Sequence, residues 1–172
     1  LAEATDGTVQ LTHLVAVPEK VPLSDAPFYA APGTEAAGEL ELYLPARRLS
    51  GSRVLYCHDP GRGILYQARL GGADLILLGW RGGMPATGRL LGSTLDRVLS
   101  RASCDVAVIR PGTGTQYVNV LVPVAGGPNS DLALRIAGML ANETLGTVTV
   151  LHVRTRRSRP IDIAALITGV CR

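Results

Sequence analysis

Four residues in the middle of the chain have the types and spacing to hold an anion. Gly79, Gly82 and Gly92 leave the main chain bare, and Ser93 follows the last of them with a hydroxyl. They lie between the apolar run Leu75–Leu78 and an amphipathic stretch opened by Ser93 and Thr94. Bare backbone can turn several amides toward one ligand, and the first turn of a helix adds unpaired N–H groups and the positive end of its dipole. Phosphate suits such an arrangement. The dipole alone contributes only about 0.3–1 kcal/mol. Micromolar affinity corresponds to about 8 kcal/mol, so several amides, the Ser93 hydroxyl and a pocket for a base would have to act together.

The groups that would turn phosphate binding into catalysis are missing. Phosphoryl transfer needs a carboxylate to hold a metal and a group to orient water, and the loop offers neither. Lys20 is the only lysine, so no P-loop lysine is present, and Asp96 falls on the helix after the loop rather than at a strand end. Arg81 and Arg89, inside the loop, read as solvated side chains. His13 and His152 stand at the carboxyl ends of two strands with no second His or carboxylate at metal spacing, which favours packing over ligation. His58 and Asp59 read as the start of a helix, with Asp59 as cap and Pro60 in the first turn. Neither a catalytic nor a metal-binding residue is assigned.

Cys57, Cys104 and Cys171 are odd in number and lack C-x-x-C spacing, so neither a disulfide framework nor a zinc site is expected and a reducing, cytosolic setting is. The longest apolar run, "IDIAALITGV", is about half the roughly twenty residues of a membrane span. The start, "LAEATDG", lacks the basic, apolar and small-residue parts of a secretory signal. A net charge of +3 comes almost wholly from arginine, densest in "RTRRSR" at Arg154–Arg159. No aromatic residues interleave with that cluster, so it reads as a solvated loop and no nucleic-acid partner is expected.

The elements that must position the loop follow from apolar patterning. Val9–Val17, Arg53–Cys57, Leu75–Leu78 and Val106–Ile109 are short runs rich in branched residues, at the spacing of buried parallel strands. Helical faces lie between them: Ile64, Leu65 and Ala68 after "DPGRG", then Leu95, Val98, Leu99 and Ala102 after Ser93 and Thr94, which can cap that helix. Alternation of this kind predicts an α/β fold, a parallel sheet covered by helices on both faces. Between Val21 and Leu49 the pattern is weaker, and "EAAGELELYLPARRL" could hold one helix that Pro45 would end.

An internal repeat sets the organisation. Leu1–Leu14 and Val153 with its thirteen predecessors, "LAEATDGTVQLTHL" and "LANETLGTVTVLHV", share seven of fourteen residues without a gap. The second copy also shows what precedes that segment, a strand from Val118 to Val124 and a helix with Ala133, Ile136, Ala137 and Leu140 on its apolar face. The reading is a first domain over residues 1–110 lacking its opening strand, a linker over 111–117, and the start of a second domain over 118–172. Either the chain is an excerpt of a tandem protein, or residues 118–139 supply the missing strand and helix by permutation or by exchange between chains. The tandem reading is favoured.

Gly79, two residues, Gly82, nine residues, Gly92 and Ser93 match the G-x2-G-x9-G-[ST] ATP-binding signature of the universal stress protein family. "HDPGRGI" before it is similar to the family's "GDPAEEI", and "LDRVLSRASCDVAVIR" after it looks like the family's closing helix and strand. "NVLVPVAGGPNSDLAL" resembles an opening strand and helix of the same family. The resemblance implies an open parallel five-stranded sheet of order 3-2-1-4-5, of the adenine nucleotide alpha hydrolase-like kind, in a tandem repeat with both copies incomplete. It implies that Gly79, Gly82, Gly92 and Ser93 hold the triphosphate and ribose of ATP, with Thr94 and Leu78 beside them, Leu14 lining the adenine pocket and magnesium as a counter-ion. The strand that would carry the family's adenine-contacting Asp is absent from the first copy, and Ala125 takes that place in the second.

Three functions are then in competition. The first is an ATP-binding regulatory domain, a switch rather than an enzyme, with slow hydrolysis left open. The second is a cytosolic regulatory module of an amino-acid or cation transporter, because "LILLGWRG" with "DVAVIR" is similar to tandem modules of that kind. The third is a copy pair that binds no nucleotide and only dimerises, through closing strands such as "DVAVI" paired across a two-fold axis as a homodimer or pseudo-dimer.

Overall fold

In the computed structural model the described residues are 1–29, 41–42, 44–80, 82, 91–110, 112, 116–154 and 160–170, the last two without their side chains. They form two compact units, Thr8–Pro111 and Gly112–Arg172 with Leu1–Gly7. Arg81, Gly88 and Arg89, most of "RTRRSR", Cys171 and nearly all of the weakly patterned helix before Pro45 lie outside the described residues.

The first unit carries two parallel strand pairs. β1 (Val9–Ala16) runs beside β2 (Leu49–Cys57), in register from Gln10↔Gly51 to Ala16↔Cys57 with one irregularity between Val9 and Gln10. β2 begins four residues before the run its sequence suggests. Ser50, Gly51 and Ser52 carry no apolar signal, and pairing with β1 supplies their extended backbone. A 3-10 segment, Leu23–Tyr29, buries Ala26 completely and packs on β2. A second, Ala46–Arg48, leads from Pro45 into β2.

Asp59 then caps α1 (Pro60–Leu70), accepting from the Arg62 N–H at 3.1 Å with Pro60 in the first turn, as the sequence predicts. Helix α1 packs on β1 as well as β2. The second pair joins β3 (Leu75–Gly79) to β4 (Asp105–Ile109), from Leu75↔Asp105 to Gly79↔Ile109. Between them in sequence lies α2 (Ser93–Arg101), which buries Leu95 and Val98 and packs on α1. Leu99 of the predicted apolar face is exposed instead.

The second unit pairs β5 (Asn119–Pro123) in parallel with β6 (Thr147–Leu151). Between them runs α3 (Pro128–Thr144), and α4 (Ile163–Val170) follows. Val122 and Val124 pack with Leu134 and Ala137 of α3, and Leu166 of α4 joins them. β1 and β6, the two copies of the sequence repeat, are both strands paired in parallel with a neighbour. Among the described residues the sheets are therefore three two-stranded parallel pairs rather than one continuous five-stranded sheet.

One detail recurs at the carboxyl ends. The Val17 N–H donates to the Cys57 carbonyl at 2.9 Å, and Nδ1 of His58 donates back to the Val17 carbonyl at 3.1 Å. In the second unit the Val124 N–H donates to the Leu151 carbonyl at 2.8 Å, and Nδ1 of His152 to the Val124 carbonyl at 2.9 Å. His152 thus ties the ends of β5 and β6 together through Nδ1, while its Nε2 is buried without a hydrogen-bond partner among the described residues. His13, at the matching repeat position, lies inside β1 opposite Val54 rather than at the carboxyl end expected for it, half-buried and with no hydrogen bond to its ring among the described residues.

Candidate functional site

β3 and β4 end side by side, and the Trp80 N–H continues their ladder by donating to the Ile109 carbonyl at 2.7 Å. The two residues that leave the strands, Trp80 and Arg110, are consequently neighbours. The Arg110 guanidinium carbon lies 5.7 Å from the centre of the indole ring, a cation–π distance. The same guanidinium covers Gly82. A β-carbon there would sit 3.1 Å from its Nε, 3.2 Å from its Cζ and 3.4 Å from a terminal nitrogen. Gly82 also has φ +77°, so a side chain there would be strained by the backbone and would have to push the guanidinium aside.

The other signature residues are uncovered among the described residues. No described atom lies within 4 Å of a β-carbon built at Gly79, the last residue of β3, or at Gly92. Gly92, with φ +94°, is the N-cap of α2. The cap expected from Ser93 or Thr94 is therefore not made: the backbone leaves the helical conformation one residue earlier, so both hydroxyls lie inside the first turn. Ser93 is exposed at the helix start with no hydroxyl partner among the described residues, and Thr94 is half-buried. Asp96 in the same turn favours the helix dipole and places a negative charge near any bound anion.

The first turn of α1 ties the remaining candidates together. Leu14 of β1 presses a methyl group against Gly63, where Cys57 also packs. On the other side, Arg97 of α2 reaches Asp59 at 3.2 Å and lies against Gly61. Leu78 of β3 is half-buried. The structure thus brings Gly79 and Gly82 to one strand end, and Leu14 and α2 to one helix start. Burial, and then the Asp59 charge, push the Cys57 thiol above its ordinary value. Burial and the charges of Asp105 and Asp74 do the same for Cys104, against a smaller lowering by its own backbone.

Trp80 and Arg110 escaped the reading of the sequence. Pairing Gly79 with Ile109 would have found them, since the residues after two paired strand ends must meet. A cleft of about 770 Å³ lies elsewhere, in the second unit between the starts of α3 and α4. Among the described lining residues Asp131 and Asp162 stand with one cation, Arg135, and Asp162 already accepts from the Ala165 N–H at 3.0 Å. Among the described residues no cluster of three His, Cys, Asp or Glu could hold a metal, and no helix is long and apolar enough to cross a membrane.

The family model of the universal stress protein family matches residues 1–110. The chain belongs to that family. A curated relative of this universal stress protein is the Na(+)/H(+) antiporter NhaS5 of Synechocystis sp., 33% identical over 113 residues. The match takes in 64% of the chain but 16% of the antiporter, so the chain spans about a sixth of that relative's length. Two solved structures are similar to it. Hypothetical protein PH0823 is 24% identical at a TM-score of 0.45, over 63% of this chain and 79% of that one. Hypothetical protein MJ0577 is 20% identical at 0.41, over 62% and 78%.

Proposed function

We propose that this universal stress protein binds ATP in its first unit and acts as a nucleotide-dependent regulatory domain rather than a catalyst. The observation that carries the reading is the backbone left open by the described residues at Gly79 and Gly92, with a Ser93 hydroxyl that has no partner among them, at the carboxyl end of a parallel pair and the start of a helix. In this reading Gly79, Gly82, Gly92, Ser93 and Thr94 hold the phosphates and ribose, and Leu14 and Leu78 line the base. Magnesium would arrive on the phosphates. β2, β1, β3 and β4 would take the outer places 3, 2, 4 and 5 of a five-stranded sheet, and β5 and β6 would open a tandem copy. ATP would act by its different affinity for two states of a partner.

Mass spectrometry of denatured, freshly purified protein is expected to release ATP, and Gly82→Val to abolish the retention, because the new side chain meets both the backbone conformation and Arg110. Wild-type protein that never carries nucleotide would end the reading. Turnover at about 1 per second or more would contradict the non-catalytic part.

The antiporter relative favours a second reading, in which the chain regulates an ion transporter at its cytosolic face. Hydrophobic spans elsewhere in the same reading frame are expected, and a frame without them would remove this reading.

A further inference from the structure

We infer that Arg110 is the side chain that recognises the phosphate tail, and that Trp80 holds it in place for that purpose. The inference rests on the nucleotide reading and names the part of the ligand this side chain selects. Three observations carry it. The guanidinium lies flat over Gly82, with Nε, Cζ and a terminal nitrogen 3.1–3.4 Å from the β-carbon position, so the second glycine of the signature is where Arg110 sits. The Trp80 ring fixes the same group from another side, 5.7 Å away. Among the described residues no carboxylate pairs with it, although Arg97 and Arg62 both reach Asp59.

An exposed arginine held only by solvent loses rotamer freedom when it binds an anion. Here an indole ring and a bare peptide already hold the planar fork, so less is lost for each hydrogen bond formed. A guanidinium can give two parallel N–H bonds to one phosphate, or bridge neighbouring phosphates, which a lysine ammonium cannot match in geometry. The site should accordingly discriminate by phosphate count: oligophosphates engage Arg110, while a nucleoside does not. Gly82 then has a second purpose. It admits the backbone turn, and it leaves room for the cation.

Trp80 is the only tryptophan of the chain, so its fluorescence reports on the pair directly. The experiment titrates the full chain with ATP, adenosine and inorganic tripolyphosphate, following that emission and heat of binding, in wild type, Arg110→Gln and Arg110→Lys. Arg110→Gln keeps a planar side chain and removes the charge. The thermal midpoint of each variant checks that the exposed position leaves the fold intact. Wild type is expected to bind ATP and tripolyphosphate with a change in emission. Arg110→Gln should lose about tenfold to a hundredfold for both, and adenosine affinity should stay as it was. Arg110→Lys should recover only part of the loss. Equal ATP affinity in wild type and Arg110→Gln overturns the role of Arg110 and leaves nucleotide binding standing. Adenosine binding as tight as ATP, with none of tripolyphosphate, also overturns it. No binding of any of the three by wild type ends both readings.

Discussion

Cys57 shows how one residue senses its neighbours. Its thiol sits in the contact between β2 and the first turn of α1, and burial followed by the Asp59 carboxylate disfavours the thiolate. Alkylation by iodoacetamide near pH 8 is expected to be slower at Cys57 than for a free thiol, and Asp59→Asn should speed it, as peptide mapping would show. A faster reaction in native protein than in unfolded chain would contradict this. The sign of the stability effect follows. The native state keeps the proton to higher pH than the unfolded state, so the contribution is intact below the ordinary thiol value and is lost as pH rises from there through the raised native value. Arg110 belongs to the same scale and shows what patterning omits: a charged residue just after a strand carries no local signal, and only its pairing partner places it.

At the scale of elements, the end of α3 offers a sharp case. Leu145 takes the left-handed conformation at φ 52° and is 94% exposed, so its side chain gains no burial for the strain. Leu145→Gly is expected to stabilise the protein by about 1 kcal/mol, seen as a higher thermal midpoint. Gly146→Ala should do the reverse, because a β-carbon there collides with the Val118 carbonyl. Nothing in "NETLGT" marks Leu rather than Gly as the left-handed residue. Other features were legible because their cause is local: short runs of Val, Leu and Ile gave β1, β3 and β4, and Asp59-Pro60 announced α1. The first half of β2 was not, since Ser50, Gly51 and Ser52 are extended only through their partner strand. Nor was the cap at Gly92, where three candidate residues stand in a row and only backbone geometry chooses among them.

At the scale of the whole molecule, the two units each have their own buried residues, and this should appear in unfolding. Val98 is fully buried on α2 in one unit, while Val122 lies in the core of the other at 4% exposure. Either residue changed to Ala removes two methyl groups, at about 2 kcal/mol including the cavity. Calorimetry is expected to resolve two transitions, with Val98→Ala lowering one and Val122→Ala the other. A single transition lowered equally by both would show the division into units to be energetically empty.

The histidines at the strand ends have a directional consequence. A carbonyl oxygen only accepts, so Nδ1 of His58 and of His152 must bear hydrogen, and each imidazole acts as a bolt thrown from one strand onto its neighbour. Such a bolt locks the carboxyl end of a pair, while at the amino end of β1 and β2 the exposed Ser50 hydroxyl reaches across to the Val9 carbonyl at 3.2 Å. Peeling should then begin at Val9, where β1 and β2 already slip by one residue, and travel toward the bolted edge.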